Sequence, residues 1–555
     1  MDPQPANLYL ATSESALRGV GEEARREPPQ FPFSRVAIVL VSLILFAAAL
    51  VYLHRLGERS LWLDEATSVS LANQGWKDFF IEAWTTQGNM ILYHLLLRGW
   101  VHLGDNEFAL RSLSVLFGLL NIAVIYVLGR RFFSEKTGLA SAALLAVHSF
   151  HIRYAQEARG YTILLFLLML STYFFLRLSE SPGVKKYRSA YVLISALAIY
   201  THVFAGLVLA AQWFSLGWAR ARKIGLKEMV GRIAVFTAPM TIYVLAHGTK
   251  PIDWIPRPSA AFVLLTIHRL VGGFVSRFPT PAAGKALLGV YAACWVLALA
   301  GVLDLRRVKP PRQRDGLPVK LVALWLTFPF VFTLIASLIK PLFLDRYLII
   351  CVPAAVLLAA QGMTTLDRVP RLRTWLFAGV LTVAIGLSLW GTRQYFASLG
   401  LIGSDWRSAT RYILARQHSG DAAIFFRAGT QPFLYYVQQE RERHGVKSFP
   451  TLLFPTDEKM GNQRWIFKTS RRKFEEATRG YRRVWLVLYG EKNTRGEPIS
   501  SLMPEDVQLL EERQKKGQGE PSSFLMPEDF RLLEAQEFWG LWDSPITVNL
   551  YARAP

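Results

Sequence analysis

The sequence predicts a polytopic α-helical membrane protein with about 11 spans, and up to about 13, followed by a small C-terminal soluble α/β domain. Three observations predict this class. The chain has 555 residues, 52% of them hydrophobic, and a positive mean hydropathy, which is too apolar for a water-soluble protein of this length. Its apolar residues fall in long runs, and its basic residues cluster in the short loops between them. The sequence after residue 390 turns charged and soluble in character.

The chain begins with a polar segment, residues 1–35, that carries mixed charge and several prolines. It lacks the basic start, apolar middle and small-residue cleavage site of a signal peptide. We expect a disordered cytoplasmic tail.

Apolar stretches long enough for hydrocarbon follow, some of them only if tilted or if the bilayer thins. In chain order they are residues 36–52, 110–128, 138–150, 161–178, 190–200, 203–218, 233–246, 285–302, 319–338, 343–360 and 375–390. Together they delimit a transmembrane domain over residues 36–390.

Orientation follows from the basic loops, because short cytoplasmic loops carry an excess of Lys and Arg. On this span count every basic cluster lies on the side of the amino terminus, at residues 130–136, 185–188, 220–223, 306–314 and 368–373. We therefore expect a multi-pass inner-membrane protein with a cytoplasmic amino terminus. The acidic candidates then lie on the outer face: Asp64, Glu65, Glu157, Asp253 and Asp345.

Two outer segments are long, the first outer loop at 56–109 and a later one at 248–284. The stretch 91–103 carries Arg98 and His102, and the stretch 259–275 carries His268 and Arg269. Charged residues within short apolar stretches favour helices that lie in the membrane interface rather than further crossings. Such helices would form a cleft at the membrane surface.

The remainder, residues 391–555, is predicted to be an extracytoplasmic α/β domain. We expect helices at 404–417 and 432–437 and strands at 422–426, 483–489 and 546–551. The pentapeptide Leu-Met-Pro-Glu-Asp at 502–506 recurs at 525–529, and we assign it no function.

Several function classes are excluded by composition and pattern. Only Cys294 and Cys351 are present, both in apolar runs, so neither a disulfide framework nor a cysteine zinc site is indicated. The net charge of +22 does not indicate nucleic acid, because the basic residues define topology. A Walker A pattern and an Asp-x-Asp pair are both missing, which argues against an ATP-driven pump and a cytosolic nucleotide-sugar enzyme.

Asp64 and Glu65 lie just beyond the first span. A charge near hydrocarbon costs about 2.5–3.5 kcal/mol, so carboxylates kept there usually face a watery cavity or a substrate. The alternative is a solvated pair or the N-terminal cap of a following helix. A second cluster with Glu157, Arg159 and Tyr161 is predicted on the same face, where it is either an interfacial ion pair or part of the same cleft.

Two further candidates lie at outer helix ends. Arg346 and Tyr347 open a late span, where Arg and aromatic residues either anchor the interface or grip a lipid phosphate. His202 follows a predicted span, where a packed, hydrogen-bonded histidine is the alternative to a pocket residue.

These residue types meet the requirements of glycosyl transfer from a lipid-linked sugar. The phosphate leaving group needs a cation or phenol hydroxyl, and Arg346, Tyr347 and Arg159 are the candidates. The acceptor hydroxyl needs a base, and Asp64 is the first candidate, with Glu65 and Glu157 as alternates. One base and one displacement predict inversion at the anomeric carbon.

The segments 62–66, 89–94, 107–114, 154–161 and 346–348 resemble, in this order, the bacterial relatives of protein O-mannosyltransferases and lipid A aminoarabinose transferases, within the GT-C superfamily. The resemblance covers residues 60–360, and 405–421 is similar to the start of the outer domain of such proteins. It implies a GT-C-like fold, a polyprenyl-phosphate sugar donor, a catalytic Asp at position 64 and phosphate contacts from Arg346 and Tyr347. His94, His202 and Tyr161 are the remaining pocket candidates.

The chain departs from this pattern at residues 87–90. Many relatives have a Pro-Pro-Leu segment there, often after a Lys, whereas this chain reads Gln-Gly-Asn-Met. Some relatives hold a divalent metal near this loop. Glu65, Glu82 and His94 are the available ligands in this chain, so a divalent metal ion stays open.

Two other functions remain as alternatives. A secondary transporter of a polar or anionic solute would also use intramembrane charges, and it predicts pseudo-symmetric halves with broken helices. A scaffold or receptor would tolerate Asp64→Asn. The acceptor, which could be a protein, lipid or glycan hydroxyl, and the sugar, hexose or pentose, are not selected by any part of the sequence.

Overall fold

The computed structural model describes residues 34–248, 252, 255–274, 281–308, 317–368, 373–399, 404–426, 429–454, 471–489, 526, 529–538 and 546–554. The predicted tail up to residue 33, Asp253 and the first Leu-Met-Pro-Glu-Asp copy at 502–506 lie outside these residues, as does most of the second copy. The chain divides into two compact units. The first comprises Met1–Tyr52, Ser114–Ala155 and Gly160–Gln394, and the second Leu53–Leu113, Gln156–Arg159 and Tyr395–Pro555.

The helices are numbered in chain order. They are α1 (Arg35–Leu53), α2 (Leu63–Asn73), α3 (Trp76–Glu82), α4 (Ile91–Trp100), α5 (Glu107–Phe132), α6 (Glu135–Ala146), α7 (Ser149–Ala155), α8 (Tyr161–Glu180), α9 (Lys185–Thr201), α10 (Ala205–Ser215), α11 (Trp218–Lys223), α12 (Leu226–Phe236), α13 (Ala238–His247), α14 (Ala260–Leu270), α15 (Ala282–Val308), α16 (Leu317–Ala336), α17 (Val352–Thr365), α18 (Arg373–Ala397), α19 (Trp406–Arg416), α20 (Thr430–His444) and α21 (Arg471–Thr478). Short 3₁₀ turns lie at Val101–Leu103, Asp345–Cys351 and Leu366–Arg368, and a π-helical turn lies at Ala83–Gln87.

Seven helical segments within the described part of the chain are long and apolar enough to cross a membrane. They are Arg35–Leu53, Glu107–Phe132, Tyr161–Glu180, Ala282–Gly301, Leu317–Ala336, Asp345–Thr365 and Trp375–Ala397. Helices α12 and α13 would add an eighth span if they act together, although they are bent by 62°. Pro239 lies in the first turn of α13 and lacks a backbone N–H, which favours a break at this point.

This number is lower than the predicted count of about 11. The stretch predicted at 138–150 divides between the 12-residue α6 and the 7-residue α7. The stretch predicted at 203–218 forms the 11-residue α10. Both are shorter than the roughly 20 residues that a helical crossing needs. The described residues therefore form a polytopic helical protein with seven or eight candidate crossings of full length.

Helix α17 is largely buried in the first unit, with 11 of its 14 residues covered. It packs against α15 and α6. At Gly362 an added Cβ would lie 1.8 Å from the backbone oxygen of Cys294. Only glycine allows these two helices to approach so closely.

The second unit contains a five-stranded sheet with strand order β2-β1-β3-β5-β4. Its strands are β1 (Ala422–Phe426), β2 (Thr451–Phe454), β3 (Arg483–Tyr489), β4 (Phe530–Phe538) and β5 (Ile546–Arg553). Strands β2, β1 and β3 are parallel, whereas β3, β5 and β4 are antiparallel. The three predicted strands correspond to β1, β3 and β5, and the sequence did not predict β2 and β4.

Helices α19 and α20 cover one face of this sheet. Trp406, Phe433 and Trp485 are buried together in the core that the helices share with the strands. Helix α20 also contacts α2, and α2 contacts α4. The second unit therefore includes both the sheet domain and the helices of the predicted first outer loop.

Candidate functional site

Asp64 and Glu65 lie in the first turn of α2 in the second unit. Glu65 Oε2 accepts a hydrogen bond of 3.3 Å from the backbone N–H of Trp62, directly before the helix. Glu65 therefore takes the capping role that the sequence left as an alternative for the pair. The two carboxylates differ in their burial and in their hydrogen-bond partners.

Glu65 is fully buried and saturated with donors. Arg111 donates from Nε to Oε1 and from Nη2 to Oε2, each at 2.8 Å, and the Ala158 N–H donates to Oε1 at 2.8 Å. Burial alone would raise the pKa of Glu65, but the Arg111 guanidinium outweighs it and the pKa is lowered. The carboxylate is therefore ionised, with both oxygens committed to the protein.

Asp64, by contrast, is partly exposed to solvent. Its side chain is 28% exposed, and its Oδ2 lies 4.0 Å from Nη2 of Arg159. Arg159 is itself fixed to α2, because its Nη1 donates to Ser68 Oγ at 3.0 Å and to the backbone oxygen of Asp64 at 3.3 Å. Asp64 is thus an accessible carboxylate beside an anchored guanidinium.

Glu157 and His94 belong to the same unit. Glu157 is 3% exposed and precedes Arg159 in a tight turn, where the Arg159 N–H donates to the Glu157 backbone oxygen at 2.7 Å. His94 lies on α4 with 0% exposure, and neither of its ring nitrogens has a hydrogen-bond partner among the described residues. Burial, aided by the charge of Arg159, lowers the pKa of His94 to about 3. The imidazole is therefore neutral at physiological pH.

The other predicted site residues form a cluster in the first unit. The Tyr347 ring centroid lies 4.9 Å from that of His202 and 4.9 Å from that of Phe204. Tyr161 is next to His202, with centroids 6.3 Å apart, and the Arg346 guanidinium lies 5.9 Å from the Tyr347 ring centroid. His202 Nδ1 accepts from the Phe204 N–H at 3.2 Å.

Arginines that the sequence-based interpretation did not assign to the site surround Asp345 in this unit. Asp345 forms a buried ion pair with Arg269, and Arg153 and Arg346 are also close enough to interact with its charge. The Arg346 N–H donates to Asp345 Oδ1 at 2.7 Å. Among the described residues, three guanidinium groups lie around the Asp345 carboxylate, and guanidinium groups are well suited to binding an anion such as phosphate.

Arg111 was also missed, although the sequence contained a signal. It falls inside the predicted span 110–128, and a charge within an apolar span normally has a buried partner. For Arg153 and Arg269 the signal was weaker, because snorkelling toward the interface explains an arginine at the end of an apolar stretch.

The residues named as possible metal ligands do not fit a metal site. Both oxygens of Glu65 are occupied, and Glu82 accepts a hydrogen bond from Gln74. Within the described ranges, no group of three or more His, Cys, Asp or Glu side chains is placed to hold an ion. No chemical step is therefore assigned to a metal.

Comparisons with known proteins relate the chain to a family in sequence and to solved structures in fold. The family model described as "Dolichyl-phosphate-mannose-protein mannosyltransferase" matches residues 89–247. Among curated proteins, the chain is 25% identical over 364 residues to undecaprenyl phosphate-alpha-4-amino-4-deoxy-L-arabinose arabinosyl transferase 1 of Pseudomonas fluorescens. That match covers 62% of this chain and 63% of the relative, so the chain spans less than two thirds of the relative's length.

Among solved structures, ArnT from Cupriavidus metallidurans in the apo state superposes with a TM-score of 0.58 at 14% identity, over 92% of this chain and 98% of ArnT. The same protein bound to undecaprenyl phosphate gives a TM-score of 0.55 at 14% identity, over 92% and 97%. The fold is therefore shared over nearly the whole length of ArnT. Together, the comparisons confirm the resemblance to the GT-C superfamily.

Proposed function

Because the chain resembles the GT-C superfamily in sequence and fold, we propose that it is a membrane glycosyltransferase that moves a sugar from a polyprenyl-phosphate donor to an acceptor hydroxyl. The curated relative is named for an undecaprenyl-phosphate sugar, and the Cupriavidus protein binds undecaprenyl phosphate. The observation that carries the proposal is the contrast between Asp64 and Glu65. The Glu65 carboxylate is buried in an ion pair with Arg111, while the Asp64 carboxylate is partly exposed beside Arg159.

Asp64 is the proposed general base. An acceptor hydroxyl must lose its proton as it attacks the anomeric carbon, and an accessible carboxylate within hydrogen-bond reach can take that proton. Arg159 was a phosphate candidate from the sequence, but its bonds to Ser68 and the Asp64 backbone suit it better to orienting the base. Glu157 stays the alternate base. Glu65 is proposed to hold the helix end in place rather than to react.

The guanidinium cluster of the first unit is the proposed phosphate site. Arg346 and the Tyr347 hydroxyl would stabilise the charge that builds on the phosphate oxygens as the glycosidic bond breaks. The Arg153 and Arg269 guanidinium groups close to Asp345 support this role. His202 and Tyr161 line the aromatic side of the same cluster.

A single displacement by a hydroxyl activated by Asp64 would invert the anomeric centre. We further propose that the reaction takes place at the outer face of the inner membrane, with the amino terminus cytoplasmic, because the basic loops favour that orientation. The acceptor is a hydroxyl of a protein, lipid or glycan.

The direct test uses the purified full chain in lipid nanodiscs. Two probe donors are supplied, undecaprenyl phosphate-linked 4-amino-4-deoxy-L-arabinose and undecaprenyl phosphate-linked mannose, with a cell-envelope extract as the acceptor source. Mass spectrometry follows the release of undecaprenyl phosphate. The wild type should consume at least one donor, whereas a transporter would leave both chemically intact.

Matched variants locate the site. Asp64→Asn and Arg346→Ala should each lower turnover strongly, while Asp78→Asn, an exposed aspartate on α3, should match the wild type. Full turnover by both Asp64→Asn and Arg346→Ala would refute the assignment. Comparing lipids and proteins from cells with and without the chain then identifies the acceptor.

A further inference from the structure

The short segment that leads into Asp64, residues 56–61, forms no helix of its own, yet its backbone is held at almost every residue. Arg111 donates from Nη1 to the backbone oxygens of Leu56 and Arg59 at 3.0 and 2.9 Å, and from Nη2 to that of Ser60 at 3.0 Å. The same guanidinium binds Glu65. Arg111 thereby links the start of α2 to the segment before it.

The second group that holds this segment comes from the sheet domain. The Leu61 N–H donates to the hydroxyl of Tyr436 on α20 at 2.7 Å, and that hydroxyl donates to Glu107 Oε1 at 2.8 Å. Tyr436 is 2% exposed. Burial, together with the Glu107 carboxylate, raises the pKa of Tyr436, so the hydroxyl keeps its proton and can accept and donate at the same time.

Arg407 on α19 also holds the segment at residues 56–61. It forms an ion pair with Glu107, and its guanidinium donates to the backbone oxygens of Gly57 and Glu58 at 3.3 Å each. Two helices of the sheet domain therefore contact the segment, one at its beginning and one at its end.

The Leu61 amide is close to the reacting group along the chain. The next N–H, that of Trp62, donates to the Glu65 carboxylate, and Asp64 follows in the first turn of α2. A shift of the backbone at Leu61 would turn the first helical turn and with it the Asp64 carboxylate. A base displaced by about 1 Å can lose about 100-fold in rate.

We propose that Tyr436 is a positioning residue for Asp64, so that the sheet domain sets the geometry of the base through one buried hydroxyl. This inference rests on the proposed function for the role of Asp64. The contacts that carry it do not, because they are geometric. The C-terminal domain thus contributes to turnover without touching the substrate.

The first experiment measures the protection of the backbone and does not depend on turnover. Hydrogen–deuterium exchange of the full chain in nanodiscs is compared for the wild type, Tyr436→Phe and Tyr435→Phe. Tyr435 is the matched control, because its hydroxyl donates to the backbone oxygen of Asp105, outside the segment. Peptides covering residues 56–66 should exchange about fivefold faster or more in Tyr436→Phe, from the loss of one buried hydrogen bond, and at the wild-type rate in Tyr435→Phe. Equal exchange in all three proteins would overturn the proposal.

The second experiment measures turnover of whichever probe donor the wild type consumes. Tyr436→Phe should lower kcat about fivefold or more with KM within about twofold, because the donor site is unchanged. Arg407→Gln, which reaches the segment independently, should repeat both effects and serves if Tyr436→Phe does not fold. Faster exchange with an unchanged kcat would overturn the positioning role. If Tyr436→Phe exchanges faster but the wild type consumes neither donor, the proposed function is overturned, and the structural link between Tyr436 and the segment stands.

Discussion

Glu65 and Arg111, 46 residues apart in the chain, form a bidentate ion pair with two hydrogen bonds of 2.8 Å and almost no exposure to solvent. The pair joins the first turn of α2 to the first turns of α5. Its partners on both sides, the Ala158 N–H and the backbone oxygens of Leu56, Arg59 and Ser60, make it the centre of the polar network in the second unit.

Breaking this pair from one side should destabilise the protein strongly. Glu65→Ala leaves the buried Arg111 without its counter-charge, and we expect a loss of about 3–5 kcal/mol in the free energy of unfolding. The double variant Glu65→Leu with Arg111→Met removes both charges and should lose less than the sum of the single variants. Denaturant unfolding in detergent measures both. Strict additivity would show that the two residues are not coupled.

Asp64→Asn should lower turnover but leave stability almost unchanged, in contrast to Glu65→Ala. The side chain is partly exposed, so we expect stability to stay within about 0.5 kcal/mol of the wild type. Loss of a general base typically costs about 10²–10⁴-fold in rate. Turnover and thermal unfolding are measured on the same preparations. A variant that loses stability as well as activity would argue that Asp64 is structural.

The buried His94 predicts a pH dependence of stability. Its pKa is lowered to about 3 in the folded state, against about 6.5 in the unfolded chain. The unfolded state therefore binds the extra proton, and the contribution of His94 is full above pH 6.5 and falls as the pH drops toward 3. The slope is at most about 1.4 kcal/mol per pH unit.

His94→Leu should flatten this dependence. Unfolding of the wild type and the variant is compared between pH 6.5 and 5, above the range where carboxylates such as Glu65 titrate. As the pH is lowered, the free energy of unfolding should fall more for the wild type than for His94→Leu. Parallel curves would mean that His94 is already protonated or solvated in the folded protein.

Two of the three arginines around Asp345, Arg346 and Arg269, should differ in their roles, the first in lipid binding and the second in stability. Arg346 is partly exposed, so Arg346→Gln should weaken binding of undecaprenyl phosphate about 10-fold or more, as expected for a charged hydrogen bond, with little effect on folding. Arg269→Gln leaves a buried Asp345 without its ion pair and should lower the unfolding temperature. Native mass spectrometry of lipid binding and thermal unfolding test both. Unchanged lipid binding by Arg346→Gln would remove this cluster as the phosphate site.

Gly362 offers a test of helix packing in the first unit. Gly362→Ala places a methyl group against the Cys294 backbone, and overpacking of this kind costs about 1–3 kcal/mol or more. Gly379→Ala is the control, because nothing lies within 4 Å of its added Cβ. Thermal unfolding should drop only for Gly362→Ala; similar values would indicate that α15 and α17 separate easily.

The fold class could be predicted from the sequence because hydrophobic runs and basic loops are local signals. The predicted count of spans is not confirmed, since 138–150 and 203–218 are apolar enough for a crossing but fold as short helices. Helix α20 was predicted only over 432–437. Its second half is rich in Gln, Glu and Arg, which are good helix formers but give no hydrophobic period.

Some of the candidate site residues could be selected from the sequence, and their roles stay predictions. Asp64 and Arg346 stood out because charges near apolar spans are costly, and His94 followed from the resemblance. The pairing of Glu65 with Arg111 and the hydroxyl of Tyr436 against Leu61 depend on tertiary contacts between distant segments. No spacing rule in the sequence relates those positions, so only the structure could identify them.

Because Leu53–Leu113 and Tyr395–Pro555 fall in one compact unit, the carboxyl-terminal region is a poor candidate for independent exchange between homologues. In a chimera with α20 from a homologue that lacks the Tyr436 hydroxyl, Leu61 and Glu107 would lose their hydrogen-bond partner. Inheritance of these two stretches should therefore be linked, and hybrids should work best when both come from the same parent.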